Sequence, residues 1–401
     1  MDFSLSPRSQ EYLSKVTAFI EQEITPIEDD YFKELKAQKN PWVVLPIIEE
    51  LKAKAKAQGL WNLFMPIDPY GANLSNEEYA PLAEQMGRSF IAPEIFNCNA
   101  PDTGNMEVLI HYGSEEQKQQ WLPRLLSGEI RSAFCMTEPD VASSDATNMA
   151  ATAIVEGDEV VINGSKWWST GIGHPNCEML IFMGLTDPTA PRHQQHSMVL
   201  VPKNSKGVKI ERMLTVFGEY DEPYGHGEVS FTDVRLPKSA IIAGPGRGFE
   251  IAQGRLGPGR IHHAMRTIGA SERALELLIK RGLSRKAFGD KLINLGGNKA
   301  IVADARMAIE QARLLTMKAA WTIDQHGIKA AMSAVSQIKV IAPNILQTIV
   351  DQAIQIHGGA GLSDDFPLTM LFATARSLRL ADGPDEVHRS LIAKMELKKY
   401  G

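Results

Sequence analysis

Five short segments of the chain hold the residues whose side chains could do chemistry. They run over residues 134–145, 166–170, 284–289, 355–361 and 379–389. Together they bring hydroxyl groups, tryptophans, an arginine, paired glycines and carboxylates. An arginine presents a fixed fork of donors that suits phosphate oxygens, and paired glycines let a backbone approach a nucleotide closely. A carboxylate in such a set can act as a general base.

Each segment taken alone has an ordinary structural interpretation. Trp167-Trp168 would be core packing, Arg285 a solvated surface charge, and Gly358-Gly359 a helix end. Asp382 stands before a predicted helix and could be its N-cap, although Asp385 fits that role better. Only the combination of the segments therefore distinguishes a functional interpretation from a structural one.

The combination and order of these motifs resemble the acyl-CoA dehydrogenase family over nearly the whole chain. The motifs are Phe134-Cys135-Met136-Thr137-Glu138-Pro139 with Ser143-Ser144-Asp145, then Lys166-Trp167-Trp168-Ser169-Thr170, Ser284-Arg285-Lys286-Ala287-Phe288-Gly289 and Gln355-Ile356-His357-Gly358-Gly359-Ala360-Gly361. The resemblance implies an enzyme that uses FAD to convert an acyl-CoA thioester to the trans-2-enoyl-CoA. Electron-transfer flavoprotein is the electron acceptor that it implies.

The resemblance also implies a flavin site that begins in the middle of the chain. A flavin needs hydrogen-bond partners for its pyrimidine edge and N5, and a wall that excludes water. In the family pattern Thr137 and Thr170 form polar contacts with the flavin ring, while Met136 and Trp168 pack against it and exclude water. The matched cofactor-binding positions here are Phe134, Met136, Thr137, Ser144, Trp168, Ser169 and Thr170.

A second group of matched cofactor positions lies near the C-terminus. In the family Arg285 corresponds to an arginine that reaches the FAD of a neighbouring subunit, and Gln355 begins a turn that receives the adenosine half. The matched positions are Arg285, Phe288, Gln355, Gly358, Gly359, Pro384 and Glu386. A shared site implies a homo-oligomer, either a dimer or a dimer of dimers.

The family's catalytic glutamate corresponds to Asp382 when the chain is counted without a gap from Gly358-Gly359. The resemblance thus predicts Asp382 as the base that removes the α-proton while a β-hydride passes to flavin N5. Its backbone amide and a ribityl hydroxyl would stabilise the developing enolate. Some members place the glutamate on the helix that opens the C-terminal bundle, and that position here is Gly259.

Substrate contacts are implied at two matched positions, Ser144 and Arg260, the second on the CoA side. A salt bridge is the alternative interpretation of Arg260. The segments 382–388 and 101–105 resemble the subgroup of acyl-CoA dehydrogenase family members 10 and 11. Resemblance to that subgroup implies long or hydroxylated acyl groups as substrates. The length and substitution of the acyl chain do not follow from the sequence.

Hydrophobic periodicity predicts the elements that position these residues. Helical spacing runs from Pro7 to about Ser127, as in Val43, Ile47 and Leu51. Ser75 and Ser114 carry helix-start signals. The spacing predicts an N-terminal helical domain over residues 1–130.

The middle of the chain has a different pattern, with short β-branched runs separated by turns. Residues 153–155 and 160–162 form a predicted hairpin around a turn at 156–158, and Asn163-Gly164 predicts a second turn. Further predicted strands cover residues 180–185, 198–201 and 228–234. The pattern predicts a middle antiparallel β domain or barrel over residues 131–245.

Beyond residue 245 the periodicity is again that of long helices, with breaks at Gly296-Gly297, Gly327 and Gly358-Gly359. It predicts a C-terminal four-helix bundle over residues 246–401. The fold class predicted for the whole chain is therefore α+β, with the acyl-CoA dehydrogenase fold.

Length and composition agree with a cofactor enzyme. The chain has 401 residues, more than one hydrophobic core usually holds, and a formal net charge of −6 that argues against nucleic acid as a partner. Its three cysteines show no metal-ligand spacing, so we expect reduced core thiols and no metal. The N-terminus lacks a secretion signal and no run is long enough for a membrane span, which predicts a cytoplasmic protein.

Two other functions remain open at this point. A nitroalkane-oxidase-like flavin oxidase also uses an aspartate as its base, and rapid reoxidation of its flavin by oxygen would separate it from a dehydrogenase. Arg260, which the resemblance places on the CoA side of the substrate, argues mildly against it. A non-catalytic scaffold that binds acyl-CoA or FAD is the second alternative. The retention of Thr137, Trp168, Thr170 and Arg285 argues against it, because loss of function usually erases polar cofactor contacts.

Overall fold

A computed structural model describes residues 4–401, apart from the side chains of residues 256–258. The chain divides into two compact units. The first unit contains residues up to Glu28, Leu63–Glu94 and Gly259–Gly401, and the second contains Asp29–Asn62 and Ile95–Pro258. Each unit is assembled from segments that are distant in the sequence.

The N-terminal region is helical, as its periodicity predicts. Its helices are α1 (Pro7–Phe19), continued by a π-helical turn (Ile20–Ile24), α2 (Glu28–Ala37), α3 (Pro46–Ala57), α4 (Asn76–Met86), α5 (Ala92–Ile95), α6 (Asp102–Tyr112) and α7 (Glu115–Ser127). The predicted starts at Ser75 and Ser114 are confirmed, because each serine forms a capping box with the third residue of its helix.

The helical spacing fails at Val43. Helix α3 begins only at Pro46, and the preceding Leu45 is extended with ψ of 141°. Proline suits the first turn of a helix and disfavours helical geometry in the residue before it. Val43 therefore lies outside the helix that contains Ile47 and Leu51.

The middle region forms one seven-stranded sheet. Its strands are β1 (Arg131–Cys135), β2 (Thr152–Glu156), β3 (Glu159–Thr170), β4 (Cys177–Leu185), β5 (His196–Pro202), β6 (Val208–Leu214) and β7 (His226–Pro237). The strand order is β1-β4-β2-β3-β7-β6, and β5 also pairs with β4. This central sheet between helical parts confirms the predicted α+β class.

The sheet is mixed and open, which corrects the expectation of a purely antiparallel domain or a barrel. Strands β1 and β4 run parallel, as does the single residue pair of β2 with β4, and the other pairings are antiparallel. A parallel pair needs a long connection, and the hairpin β2–β3 lies between β1 and β4. No pairing in the described chain joins β6 back to β1, so the sheet does not close.

The predicted turn at Asn163-Gly164 is wrong. Strand β3 continues through both residues, and its register with β7 shifts between Ile162 and Gly164, which marks a bulge. Gly164 has φ of 133°, and a Cβ there would lie 2.5 Å from Cβ of Ala151. The glycine thus marks a close approach of two segments rather than a chain reversal. The predicted turn at 156–158 is confirmed by the pairing of Glu156 with Glu159.

The sheet has an apolar core. It includes Ala133, Ile162, Phe182, Val199 and Phe231, each at most 2% exposed. Cysteines 98, 135 and 177 are all buried, and none forms a disulfide, as predicted. Buried thiols of this kind behave as small apolar side chains.

The C-terminal region is again helical. Its elements are α8 (Gly248–Ser284), the two-residue strands β8 (Lys286–Ala287) and β9 (Asp290–Lys291), α9 (Asn298–His357), α10 (Leu368–Leu378) and α11 (Asp385–Leu397). The predicted breaks are confirmed: Gly297 precedes α9, Gly327 interrupts it with φ of 78°, and Gly358 ends it with φ of 63°. Within the described residues, no helix is both long and apolar enough for a membrane span.

Candidate active site

Asp382 lies in the turn between α10 and α11, as the ungapped count predicts. Its φ is 55°, in the left-handed region that aspartate and asparagine enter more readily than most residues. The side chain is 19% exposed. A partly exposed carboxylate in a sparsely populated backbone conformation is a candidate functional group.

The turn is held through its backbone carbonyl groups. Nε of Arg260 donates to the carbonyl oxygen of Asp382 at 3.0 Å, and Nε2 of His388 lies 3.2 Å from the same oxygen. Nζ of Lys339 donates to the carbonyl oxygen of Gly383 at 2.8 Å. These contacts fix the backbone of the turn that carries Asp382.

Basic side chains surround the carboxylate. Nε2 of His263 lies 3.6 Å from Oδ2 of Asp382. Burial lowers the pKa of Lys339 to about 8, against the opposing attraction of the Asp382 carboxylate. Burial also lowers the pKa of Arg260, and it lowers that of His388 to about 4. The cations favour an ionised Asp382, whereas the lowered pKa of His388 keeps that ring neutral near pH 7.

Gly259 is brought to the same carboxylate. It lies one helical turn before His263 on α8, and a Cβ built on it would be 3.7 Å from Oδ2 of Asp382. The two positions that the family resemblance gives for the base therefore converge in space. The absence of a side chain at 259 leaves room beside Asp382.

The neighbouring carboxylates have other environments. Asp385 is 2% exposed, and its Oδ2 accepts hydrogen bonds from Nε of Arg379 at 2.8 Å and Nδ2 of Asn344 at 3.0 Å. Burial acts to raise the pKa of Asp385, but these hydrogen bonds outweigh it and the pKa is lowered. The expectation that Asp385 is an N-cap is wrong, because Pro384 occupies that position and Asp385 is the first helical residue. Glu386 is exposed.

Two of the predicted flavin motifs meet in the sheet. The amide of Trp167 donates to the carbonyl oxygen of Thr137 at 2.9 Å, and Nζ of Lys166 donates to that of Met136 at 2.9 Å. Lys166 is also paired with the buried Glu138 at 2.7 Å. The chain that follows β1 is thereby fixed against β3.

Trp168 does not pack in the core. It has φ of 52°, lies where the register of β3 and β7 shifts, and is 39% exposed. Its ring is 6.3 Å from that of Trp167 and 5.6 Å from that of His226. A bulge that turns an aromatic ring outward is a common feature of binding sites and fits a wall beside a planar ligand.

Thr170 is paired with a histidine that the sequence analysis missed. Oγ1 of Thr170 lies 2.9 Å from Nδ1 of His226, the first residue of β7. Burial lowers the pKa of His226 to about 4. Nearby Ser169 is fully buried, and Ser144 lies in an exposed loop. Only strand pairing could have revealed His226, since it lies far from Thr170 in the sequence.

Arg255 is a second missed residue in the same unit. Its guanidinium lies 4.0 Å from the centre of the Phe134 ring, and its Nε donates to Oδ1 of Asn105 at 3.0 Å. Asn105 in turn donates to Oγ of Ser132 at 2.9 Å. The segment 101–105, which carries the subgroup resemblance, is thus linked to the strand that holds Phe134.

The predicted cofactor positions near the C-terminus are exposed, apart from the half-buried Pro384. Arg285 follows the end of α8, and Phe288 sits between β8 and β9 with φ of 49° and 99% exposure. Gln355 and Gly359 are also exposed at the end of α9. A Cβ at Gly358 or Gly359 would meet no atom within 4 Å. The backbone there is open to a ligand, as the cofactor assignment requires.

The structure thus groups the predicted residues into two sets. Phe134, Met136, Thr137, Ser144, Trp168, Ser169 and Thr170 belong to the second unit, and Arg260, Arg285, Phe288, Gln355, Gly358, Gly359, Asp382, Pro384 and Glu386 belong to the first.

Comparison with known proteins gives the family. The chain matches the acyl-CoA dehydrogenase N-terminal domain over residues 6–129, the middle domain over 133–234 and the C-terminal domain over 246–397. It is 63% identical to a Mycobacterium abscessus protein whose solved structure carries the family name acyl-CoA dehydrogenase, with a TM-score of 0.97 and 100% coverage of both chains.

Two curated relatives are similar over the full length of this chain. Acyl-CoA dehydrogenase family member 10 of Mus musculus is 56% identical over 399 residues, which cover 98% of this chain and 37% of that protein. The probable acyl-CoA dehydrogenase FadE2 of Mycobacterium tuberculosis is 50% identical over 402 residues, which cover 100% of this chain and 98% of that protein. The chain therefore spans little more than a third of the mouse protein but nearly all of the mycobacterial one. Together with these matches, the helical parts and central sheet show that the chain belongs to the acyl-CoA dehydrogenase family, a family of flavoprotein oxidoreductases whose cofactor is FAD.

Proposed function

We propose that this protein catalyses FAD-dependent α,β-dehydrogenation of an acyl-CoA thioester, with Asp382 as the base. The observation that carries the proposal is the position of the Asp382 carboxylate. It is partly exposed, its backbone is anchored by Arg260, and it occupies the same space that a side chain at Gly259 would reach. Asp385 is almost fully buried and is paired with Arg379 at 2.8 Å.

The proposed role of Asp382 follows from its surroundings. The nearby cations Arg260 and Lys339 favour the ionised carboxylate before substrate binds. An apolar acyl chain would displace water from the carboxylate and raise its basicity. Asp382 then removes the α-proton, and its backbone amide donates to the thioester oxygen as negative charge develops there. FAD supplies the acceptor for the β-hydride.

We further propose that both sets of matched residues hold the cofactor. Thr137 and Thr170 are the polar contacts of the flavin ring and Trp168 is its wall. Arg285 reaches the FAD of a neighbouring subunit, so the enzyme is a dimer or a dimer of dimers. The exposure of Arg285 and Phe288 in the single chain supports this assignment.

The wider setting is part of the same proposal. Three regions, 1–130, 131–245 and 246–401, would act as helical, flavin-contacting and catalytic parts of one cytoplasmic enzyme. Electron-transfer flavoprotein is the proposed acceptor, and Arg260 and Ser144 are the proposed substrate contacts. Arg260 can serve the substrate only with the guanidinium nitrogens that do not bind the carbonyl oxygen of Asp382.

Anaerobic bleaching of the bound flavin by acyl-CoAs of graded chain length tests the proposal. We expect bleaching with at least one of them, and the chain-length profile identifies the substrate class. A yellow protein that no acyl-CoA bleaches would contradict dehydrogenation. Rapid reoxidation by oxygen, without dependence on electron-transfer flavoprotein, would favour the oxidase alternative.

A further inference from the structure

Three polar side chains form a line in the second unit, from Thr170 through His226 to Asp221. Thr170 and His226 are paired residues of β3 and β7, and their side chains meet at 2.9 Å between Oγ1 and Nδ1. The other ring nitrogen, Nε2 of His226, lies 3.7 Å from Oδ2 of Asp221. The resemblance accounts for Thr170 but gives no role to His226 or Asp221.

The loop that carries Asp221 is fixed close to His226. The amides of Tyr224 and Gly225 donate to the carbonyl oxygen of Asp221 at 3.1 and 2.8 Å. The Trp168 ring covers His226 at 5.6 Å on the exposed side. The backbone of Asp221 is therefore held beside the imidazole, while the Asp221 side chain is 56% exposed.

This order determines where the protons lie. His226 is neutral near pH 7, because burial lowers its pKa to about 4, and a neutral imidazole carries a single ring proton. Burial raises the pKa of Asp221 to about 7, so this carboxyl group is partly ionised near that pH. The ionised form only accepts, and it favours the tautomer of His226 with the proton on Nε2. At 3.7 Å this preference is electrostatic rather than a hydrogen bond. Nδ1 is then an acceptor, and the single hydroxyl proton of Thr170 is donated to it.

We propose that His226 is a positioning residue that directs the hydroxyl proton of Thr170 away from the flavin, so that Thr170 presents a lone pair to N5. The inference rests on the proposed function, in which Thr170 contacts the flavin ring. Reduced flavin carries a hydrogen on N5, whereas oxidised flavin offers a lone pair there. A threonine that can only accept therefore favours the reduced state of the cofactor.

The midpoint potential of FAD in the loaded enzyme measures this effect directly. In His226→Leu the Thr170 hydroxyl is released and can donate to oxidised N5. We expect the equilibrium to shift about tenfold toward oxidised flavin, which is roughly 30 mV for a two-electron couple. His226→Asn, which can still offer an acceptor to Thr170, should stay close to the wild type. Asp221→Asn should give a smaller shift in the same direction.

The matched control is Glu222→Gln. It removes the same charge as Asp221→Asn from the adjacent residue of the same loop, so a general effect of loop charge would appear equally in both variants. We expect no shift toward oxidised flavin in Glu222→Gln, because loss of this charge lowers the pKa of Asp221 and favours its ionised form. Equal shifts in the two variants would overturn the role given to Asp221 in orienting the ring.

The variant Thr170→Val separates a positioning role from a merely structural one. If His226 acts through the hydroxyl, adding His226→Leu to Thr170→Val should leave the potential unchanged. A shift as large in that background as in the wild type would overturn the inference. A wild-type protein that binds no FAD would instead contradict the proposed function. The two failures are distinguishable, because the first is a shift of potential in a protein that binds FAD and the second is the absence of FAD binding.

Discussion

A Cβ placed on Gly259 would lie 3.7 Å from Oδ2 of Asp382. One residue belongs to α8 and the other to the turn between α10 and α11. A carboxylate could therefore reach one point from either backbone, and in this chain the carboxylate is on the turn between α10 and α11.

Asp382→Asn is the first test of the proposed base. Asparagine tolerates the φ of 55° at this position, so the turn and the contacts of Arg260 and His388 with its carbonyl oxygen should persist. We expect FAD binding to be retained and flavin reduction to slow by at least about 10²-fold. Anaerobic stopped-flow bleaching under conditions where chemistry is the slow step measures it.

The control for this variant is Asp158→Asn, in the exposed turn between β2 and β3. It should reduce its flavin at the wild-type rate. If Asp382→Asn also behaves as the wild type, the ungapped count has selected the wrong carboxylate. The exposed Glu386 would then be examined before the buried Asp385.

Moving the carboxylate to position 259 is the second test. Glycine tolerates the positive φ at position 382, so Asp382→Gly should keep the turn and lose activity. Adding Gly259→Glu to this variant should raise its rate of flavin reduction at least about tenfold, because the new carboxylate reaches the place that the Asp382 side chain occupied. Gly259→Glu alone places two carboxylates together, which raises the pKa of one of them. The pH dependence of flavin reduction should therefore shift to higher pH. Flavin reduction across pH measures all three. A double variant as inactive as Asp382→Gly would refute the convergence.

Acid stability gives the third prediction. Burial lowers the pKa of His262 to about 3 and that of His226 to about 4. Between about pH 6.5 and 4, these histidines are protonated in the unfolded chain but neutral in the folded one. The unfolded state therefore binds more protons, and the free energy of unfolding should fall as pH drops from about 6.5 toward 4. Each histidine contributes at most about 2 kcal/mol at pH 5.

His262→Phe isolates one contribution. The ring packs edge-on against Phe64 and Tyr79, and its Nδ1 is buried without a partner among the described residues. The phenyl ring should keep this packing and flatten the slope of unfolding free energy between pH 7 and 5, measured by urea titration. The exposed His326 supplies the control, since His326→Gln should leave the slope as it is. An unchanged slope in His262→Phe would disprove the assignment.

The fourth prediction concerns the neighbouring subunit. Arg285→Glu reverses the charge that we propose to face FAD phosphate, so FAD affinity should fall about tenfold or more, in line with a lost charge-assisted hydrogen bond. Equilibrium dialysis with FAD and light scattering together measure affinity and mass. Lys286→Glu, the same change at the next exposed position, is the control. A wild-type monomer that binds FAD tightly would rule out the shared site.

Local chemistry allowed much of the fold to be predicted from the sequence. The helix starts at Ser75 and Ser114 depend on hydrogen bonds within four residues, and the break at Gly327 depends on one backbone conformation. The predictions failed where distant segments compete with local preference. Asn163-Gly164 resembles a turn, but pairing with β7 keeps it in β3. Asp385 resembles a cap, but Arg379 draws its carboxylate into an ion pair.

The candidate site also combines features that local sequence predicts with features that depend on contacts between distant segments. Motif order alone predicts Asp382, Trp168 and Thr170 as site residues, because those residue types stand at fixed positions along the chain. Only tertiary structure decided that Gly259 lies beside Asp382 and that His226 binds Thr170. The physical reason is that these contacts join separate helices and strands. Their geometry depends on the register and packing of whole elements, which local sequence does not specify.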